Sequence, residues 1–224
     1  MQPPFEITDE ILDEHIDKLL DIIEQIPKHK LTVLVGGNGT GKSLIRKQLD
    51  CRFINETGLK RRIVRQISMQ SRTESRADLG ALSSIMHDSP EEPTSIATWH
   101  LLTEAIGRRE FKIEDPYYLV LDEMEIGMSE ESIMGVLEFV KDNMENWLEN
   151  TLGVMVITHS KLVAKELCQH FDCEFFEIRY NEINQSLDKW LNRTIIPTDF
   201  VWLKEWSNKL FLKIQNRSKP MSED

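Results

Sequence analysis

The chain has 224 residues, enough to bury the core of one large domain. Charged residues make up 29% and hydrophobic ones 40%, a balance ordinary for a globular protein. A net charge of −11 excludes coating of nucleic acid or an anionic membrane by bulk attraction.

The first element predicted is an amphipathic helix over about Asp9 to Gln25, where Ile11, Ile16, Leu19, Leu20 and Ile23 recur at helical spacing. Pro27 closes it, and Leu31 to Val35 reads as a short buried strand. A helix carrying Leu44, Ile45 and Leu49 follows Gly41. Arg62 to Met69 is a second strand, and the polar stretch from Gln70 to Pro93 reads as a long functional loop enclosing a short helix. Ser95 to Ile106 is a helix. Tyr117 to Leu121 is an apolar strand ending on Asp122 and Glu123, and Ser129 to Trp147 is a long amphipathic helix. Leu152 to Thr158, Lys161 to Gln169 and Phe175 to Ile178 continue as strand, helix and strand. Thr198 to Ile214 forms a terminal helix whose Trp202, Trp206, Leu210 and Phe211 are expected to dock on the domain, a partner-binding face being the alternative.

Strands alternating with helices imply an α/β fold with a mostly parallel sheet, helices on both faces, and extra helices at either end. The expected organisation is an N-terminal helix over 1–30 packed on the core, a central α/β domain over 31–180 with a helical region at 70–110, and a helical extension over 181–224.

Gly36-Gly37-Asn38-Gly39-Thr40-Gly41-Lys42-Ser43 matches the phosphate-cradling GxxxxGK[ST] pattern in full. Its glycines permit the backbone angles that turn successive N–H groups toward an anion, and the following helix adds its positive end. Lys42 is placed to reach the β- and γ-phosphates, and the Ser43 hydroxyl to bind Mg²⁺. An apolar strand before and a helix after supply the context this motif requires.

Asp122 and Glu123 end a buried strand, where side chains of a parallel sheet enter the ligand crevice. Asp122 is placed to hold magnesium, directly or through water, and Glu123 to orient and deprotonate an attacking water. Glu125 is a weaker candidate for that base. A third strand ends in Thr158-His159-Ser160. His159 emerges on the same rim, within reach of a γ-phosphate or the water, although a histidine after a strand is more often structural. Ser160 reads as a helix cap.

Together these residues resemble the ATP-binding cassette (ABC) superfamily of ATPases, including its stand-alone and SMC-like members. Asn38 and Gly39 fit the narrower loop pattern, Asp122-Glu123 matches the aspartate–glutamate pair, and Thr158-His159 matches the switch histidine. Asp122 to Ser129 (Asp-Glu-Met-Glu-Ile-Gly-Met-Ser) is similar to the family's D-E-P-E-x-G-L run, with Met124 in place of proline; this puts Gly127 to Ser129 in the D-loop. The resemblance covers about residues 31 to 180. It implies cofactors ATP and Mg²⁺, with Asn38, Gly39, Thr40, Gly41, Lys42 and Ser43 on the nucleotide. It also implies a Q-loop glutamine at Gln70 touching nucleotide and metal, with Gln66 as fallback.

The LSGGQ signature is missing. Pro93-Thr94-Ser95-Ile96-Ala97-Thr98 stands in its place, so Ser95 becomes the candidate to face a γ-phosphate across a dimer, with Ala81-Leu82-Ser83-Ser84 as an upstream alternative. The stretch before Gly36 is too short for the family's N-terminal strands, which leaves no assigned aromatic to stack on adenine.

The expected activity is slow ATP hydrolysis by a homodimer that closes around two nucleotides and acts on an unidentified protein partner. Nucleic acid stays open as a partner on the resemblance alone. A P-loop kinase using Arg72, Arg76, Arg108 and Arg109, and a module that binds nucleotide without hydrolysis, are the competing readings. No apolar run approaches the roughly 20 residues needed to span a bilayer. The opening residues turn acidic at once, unlike a secretory or transit segment. A cytoplasmic protein without membrane contact is therefore expected. Cys51, Cys168 and Cys173 form no CxxC pair and read as small buried apolar residues.

Overall fold

The computed structural model describes residues 5–58, 63–68, 116–180, 182–194, 197 and 199–217. Helix α1 (Asp9–Gln25) starts where Thr8 Oγ1 accepts the Ile11 N–H at 3.3 Å, with Asp9 and Glu10 in its first turn. Strand β1 (Leu31–Gly36) runs through the glycine-rich loop into α2 (Lys42–Thr57). Strands β2 (Val64–Ser68) and β3 (Tyr118–Asp122) are followed by α3 (Glu130–Asn150), β4 (Gly153–Thr158), α4 (Lys161–His170) and β5 (Cys173–Ile178). The chain closes with the short β6 (Ile183–Asn184), α5 (Leu187–Leu191) and α6 (Phe200–Arg217).

The sheet order is β2-β3-β4-β1-β5-β6; the first five strands are parallel and β6 is antiparallel to β5. Strand β4 thus lies between the strand that launches the glycine loop and the strand that ends in Asp122. The register pairs Asp122 with Ile157 and Val35 with Thr158, so the carboxyl ends of β3, β4 and β1 stand level. Loops leaving those ends share one rim, which is where ligands meet a parallel sheet.

Side chains alternate across this sheet, so each central strand feeds two cores. Val154 and Val156 face α3 and α4, with Leu137, Val140, Met144 and Leu167 in that layer. Met155 and Ile157 face α2 and the second half of α1, with Leu19, Ile22, Ile45, Leu49 and Phe53. The first half of α1 turns to α6 instead, and Leu12 and Ile16 pack with Trp202, Trp206 and Leu210. Arg52 on α2 donates through one guanidinium nitrogen to the carbonyls of Ile23 and Ile26, capping the C-terminal end of α1.

The described elements agree with the pattern-based expectation to within a few residues. Strand β6 and helix α5 were not anticipated; two and five residues are too few for a hydrophobic period to emerge. They are held from below by Glu177, fully buried on β5, which accepts from Arg179 at 2.9 Å, Arg193 at 2.6 Å and Asn184 at 3.1 Å. The cysteines also differ from expectation. Cys51 is exposed on α2, and Cys168 and Cys173 are half-buried thiols 2.9 Å apart, because α4 turns into β5 across only two residues. The stretch 69–115 expected to hold the long loop and a helix lies outside the described residues.

Candidate active site

The loop between β1 and α2 has Gly39 at φ +75° and Gly41 at φ +102°, angles that a side chain resists. Glycine is required at 41 for a second reason: a Cβ there would stand 2.5 Å from Leu19 Cδ1, itself fully buried. Every carbonyl from 36 to 40 accepts from a side-chain donor. Lys42 Nζ donates to Gly36 O at 3.0 Å and Gly37 O at 2.9 Å, and Thr40 Oγ1 also donates to Gly37 O at 2.9 Å. Tyr180 donates to Asn38 O at 3.4 Å, Trp206 Nε1 to Gly39 O at 3.2 Å, and His15 Nε2 to Thr40 O at 2.9 Å. Helix α2 begins directly after Gly41, so its free N-terminal N–H groups lie at the loop. Positive-φ glycines at a helix N-terminus fit an anion nest.

Facing the loop is the end of β3. Gln66 Nε2 on β2 donates to Asp122 Oδ2 at 2.6 Å. Burial raises the Asp122 carboxyl above its ordinary pKa, and repulsion from Glu123 adds to this; Arg46, Lys42 and Gln66 pull the other way. Burial lowers the Lys42 ammonium, against the attraction of Glu123 and Asp122. Glu123 has φ +53°, unusual for a residue with a side chain, and its N–H continues the ladder to Ile157 O at 2.8 Å. Its carboxylate meets His159 Nε2 at 2.8 Å, and the same nitrogen lies 3.2 Å from Lys42 Nζ. Glu125 is buried and accepts from Thr158 Oγ1 at 2.5 Å and from the His159 N–H at 3.1 Å. It fixes the loop that carries His159 and does not reach the cradle.

A cavity of about 900 Å³ opens between the loop and α6. Asn38, Gly39, Thr40, Gly41, Lys42 and Ser43 line it, together with Asp122 and Glu123. His159 joins them through its contacts with Lys42 and Glu123. Ser43, exposed at the start of α2, and Asp122 offer the hard oxygens that suit magnesium. Gln70 and Ser95 lie outside the described residues, as do Arg72, Arg76, Arg108 and Arg109. Gln66, first considered only as a fallback, is the glutamine bound to Asp122. His15, Tyr180 and Trp206 were missed as supports of the loop. Of these His15 alone left a trace in the sequence: a titratable residue on the apolar stripe Leu12, Ile16, Leu19.

A parallel sheet that passes from strand to glycine loop to helix, with an acidic strand one position removed, defines the P-loop NTPase fold. Among solved structures the chain is similar to domain III of the replication initiation protein DnaA from Thermotoga maritima (11% identity, 97% of this chain and 75% of that one, TM-score 0.45). It is similar to cbiO1 from Clostridium perfringens, part of the ABC transporter complex cbiONQ (15%, 87% and 86%, TM-score 0.38). It is also similar to PCH-2 from C. elegans (14%, 79% and 45%, TM-score 0.40), of which it spans less than half the length. No family model matches the sequence, and no curated protein matches it significantly. Among the described residues no helix is long and apolar enough to cross a membrane.

Proposed function

We propose that this chain binds ATP with Mg²⁺ in the glycine loop, hydrolyses it slowly, and uses the change of nucleotide state as a conformational switch of the ABC type, closing as a homodimer. The observation that carries the reading is the convergence of Lys42, Glu123 and His159 at the mouth of the anion nest. In this reading the N–H groups of the loop and Lys42 hold the β- and γ-phosphates. Magnesium, held by Ser43 and Asp122, offsets phosphate charge when bound. Glu123 takes a proton from water as its oxygen attacks the γ-phosphorus, and the bond to the ADP oxygen breaks. His159 donates to Glu123 or to the γ-phosphate and so keeps the carboxylate aimed. The roles of Ser95 across the dimer and Gln70 at the metal rest on the ABC resemblance, as does the dimer.

The test is turnover and solution mass, measured together on wild type and Glu123→Gln with and without Mg²⁺. The expected result is Mg²⁺-dependent turnover in wild type, lost in the variant by at least a hundredfold, with an ATP-dependent dimer that persists in the variant. A protein that binds ATP yet stays monomeric and turns nothing over would be a binding module, and the switch would be withdrawn.

A further inference from the structure

Sequence comparison with ABC ATPases leaves the base end of the nucleotide without a partner, and the fold supplies one from an unexpected place. Helix α6 is fixed over the loop by Trp206, fully buried, whose indole N–H binds Gly39 O. Its contact is close: a Cβ on Gly39 would lie 3.2 Å from Ser207 Cβ. Ser207, Leu210, Phe211, Ile214 and Gln215 then continue along one side of the helix, at spacings of three and four, and line the same cavity as the cradle. Phe211 is 57% exposed while every tryptophan of α6 is buried. Of the two exposed aromatics on α6, Phe200 and Phe211, Phe211 is the one that lines the cavity.

The polarity of the cavity assigns its ends. Lys42, Asp122 and Glu123 gather at one side, where a terminal phosphate and its cation belong. Of its larger apolar lining residues, Leu210, Phe211 and Ile214 come from α6 and Leu44 from α2. A nucleoside triphosphate has that same division, three phosphates at one end and a flat, weakly hydrated base at the other. We infer that Phe211 stacks on the nucleobase, with Leu210 and Ile214 forming the rest of an apolar wall, so that the C-terminal helix determines base binding. This rests on the reading of the loop as a triphosphate site.

The experiment compares Mg–ATP with Mg–tripolyphosphate by calorimetry on full-length wild type, Phe211→Ala and Phe211→Tyr. Phe211→Ala is expected to weaken ATP about tenfold, the scale of one base–aromatic stack, and to leave tripolyphosphate unchanged. Phe211→Tyr restores ATP binding. Because Phe211 is largely exposed, its truncation leaves the fold intact, which the tripolyphosphate arm verifies. Equal affinity of wild type and Phe211→Ala for ATP overturns the inference and leaves the cradle standing, as does an equal loss for both ligands. Wild type that binds neither ligand overturns the cradle itself, and the inference with it.

Discussion

His159 Nε2 stands 2.8 Å from a carboxylate and 3.2 Å from an ammonium, and a neutral ring nitrogen serves only one of them. If it carries the proton it donates to Glu123 and Lys42 keeps only its two loop carbonyls; if it does not, it accepts from Lys42 and Glu123 loses its donor. A phosphate that drew Lys42 away would settle this competition toward Glu123. His15 poses a related problem behind the loop. Its Nε2 binds Thr40 O, whereas its buried Nδ1 has no partner, so protonation would place an N–H where nothing accepts it. Burial accordingly lowers the His15 pKa below 6.5, with the Thr40 hydrogen bond opposing and Lys18 adding to the effect. Unfolded chains take up this proton near pH 6.5 and folded ones resist it, so stability is full above that pH and falls as pH drops below it. Replacing His15 with Gln, which keeps a donor for Thr40 O, is expected to flatten the fall in thermal midpoint between pH 7 and 5. A wild-type slope unchanged in the variant would assign the acid sensitivity elsewhere. Lys42, Ser43, Asp122 and Glu123 are marked in the sequence because they fall within local motifs. Gln66 was marked only as an alternative to Gln70, and the partner contacts of Gln66 and His15, 56 and 25 residues away, left no mark.

Helix α6 carries two kinds of attachment, and their magnitudes differ. Lys213 and Arg217 pair with Asp9, Asp13 and Asp17 of α1, all at the surface, where screening by water and salt leaves little net stabilisation. Trp202 and Trp206 stack on each other 5.5 Å apart, with Phe5, Tyr180 and His15 around them. Burial of these rings outweighs the ion pairs. Trp206→Phe retains most of the aromatic contact but removes the donor to Gly39 O. It is expected to cost about 1–2 kcal/mol in urea unfolding and to weaken ATP binding through a slackened loop. Lys213→Gln should change neither measurably. The helix itself was readable from its periodicity, and so was the burial of its tryptophans. The exposed position of Phe211 was not, because a helical stripe marks which residues share a face without saying what that face meets.

At the scale of the molecule, the sheet order brings the ends of β1, β3 and β4 to one rim, and α6 lines the cavity above it. The loop, α1 and α6 are parts of one folded unit, so nucleotide bound at the loop is expected to stabilise all of it. Mg–ATP at about a hundred times its dissociation constant stabilises the native state by roughly 2.7 kcal/mol. For a chain of this size that corresponds to a rise of about 5–10 °C in thermal midpoint. The rise should persist in Glu123→Gln, which binds without turning over. A wild-type midpoint indifferent to Mg–ATP would contradict binding in the cradle.

What the sequence determined by itself was local: which residues form strands and helices, and the loop chemistry that follows from glycine conformations and a fixed motif spacing. Those are set by backbone sterics and by neighbours within a few residues, so no tertiary information is needed to read them. Tertiary structure decided the rest. It placed β4 between β1 and β3, level with both, which is what sets His159 against Lys42 and Glu123. It also laid a C-terminal helix over a loop some 167 residues earlier, so that Trp206 binds Gly39 O. Contacts of that span depend on how two cores pack around one sheet, and packing leaves no periodic mark in the chain that makes it.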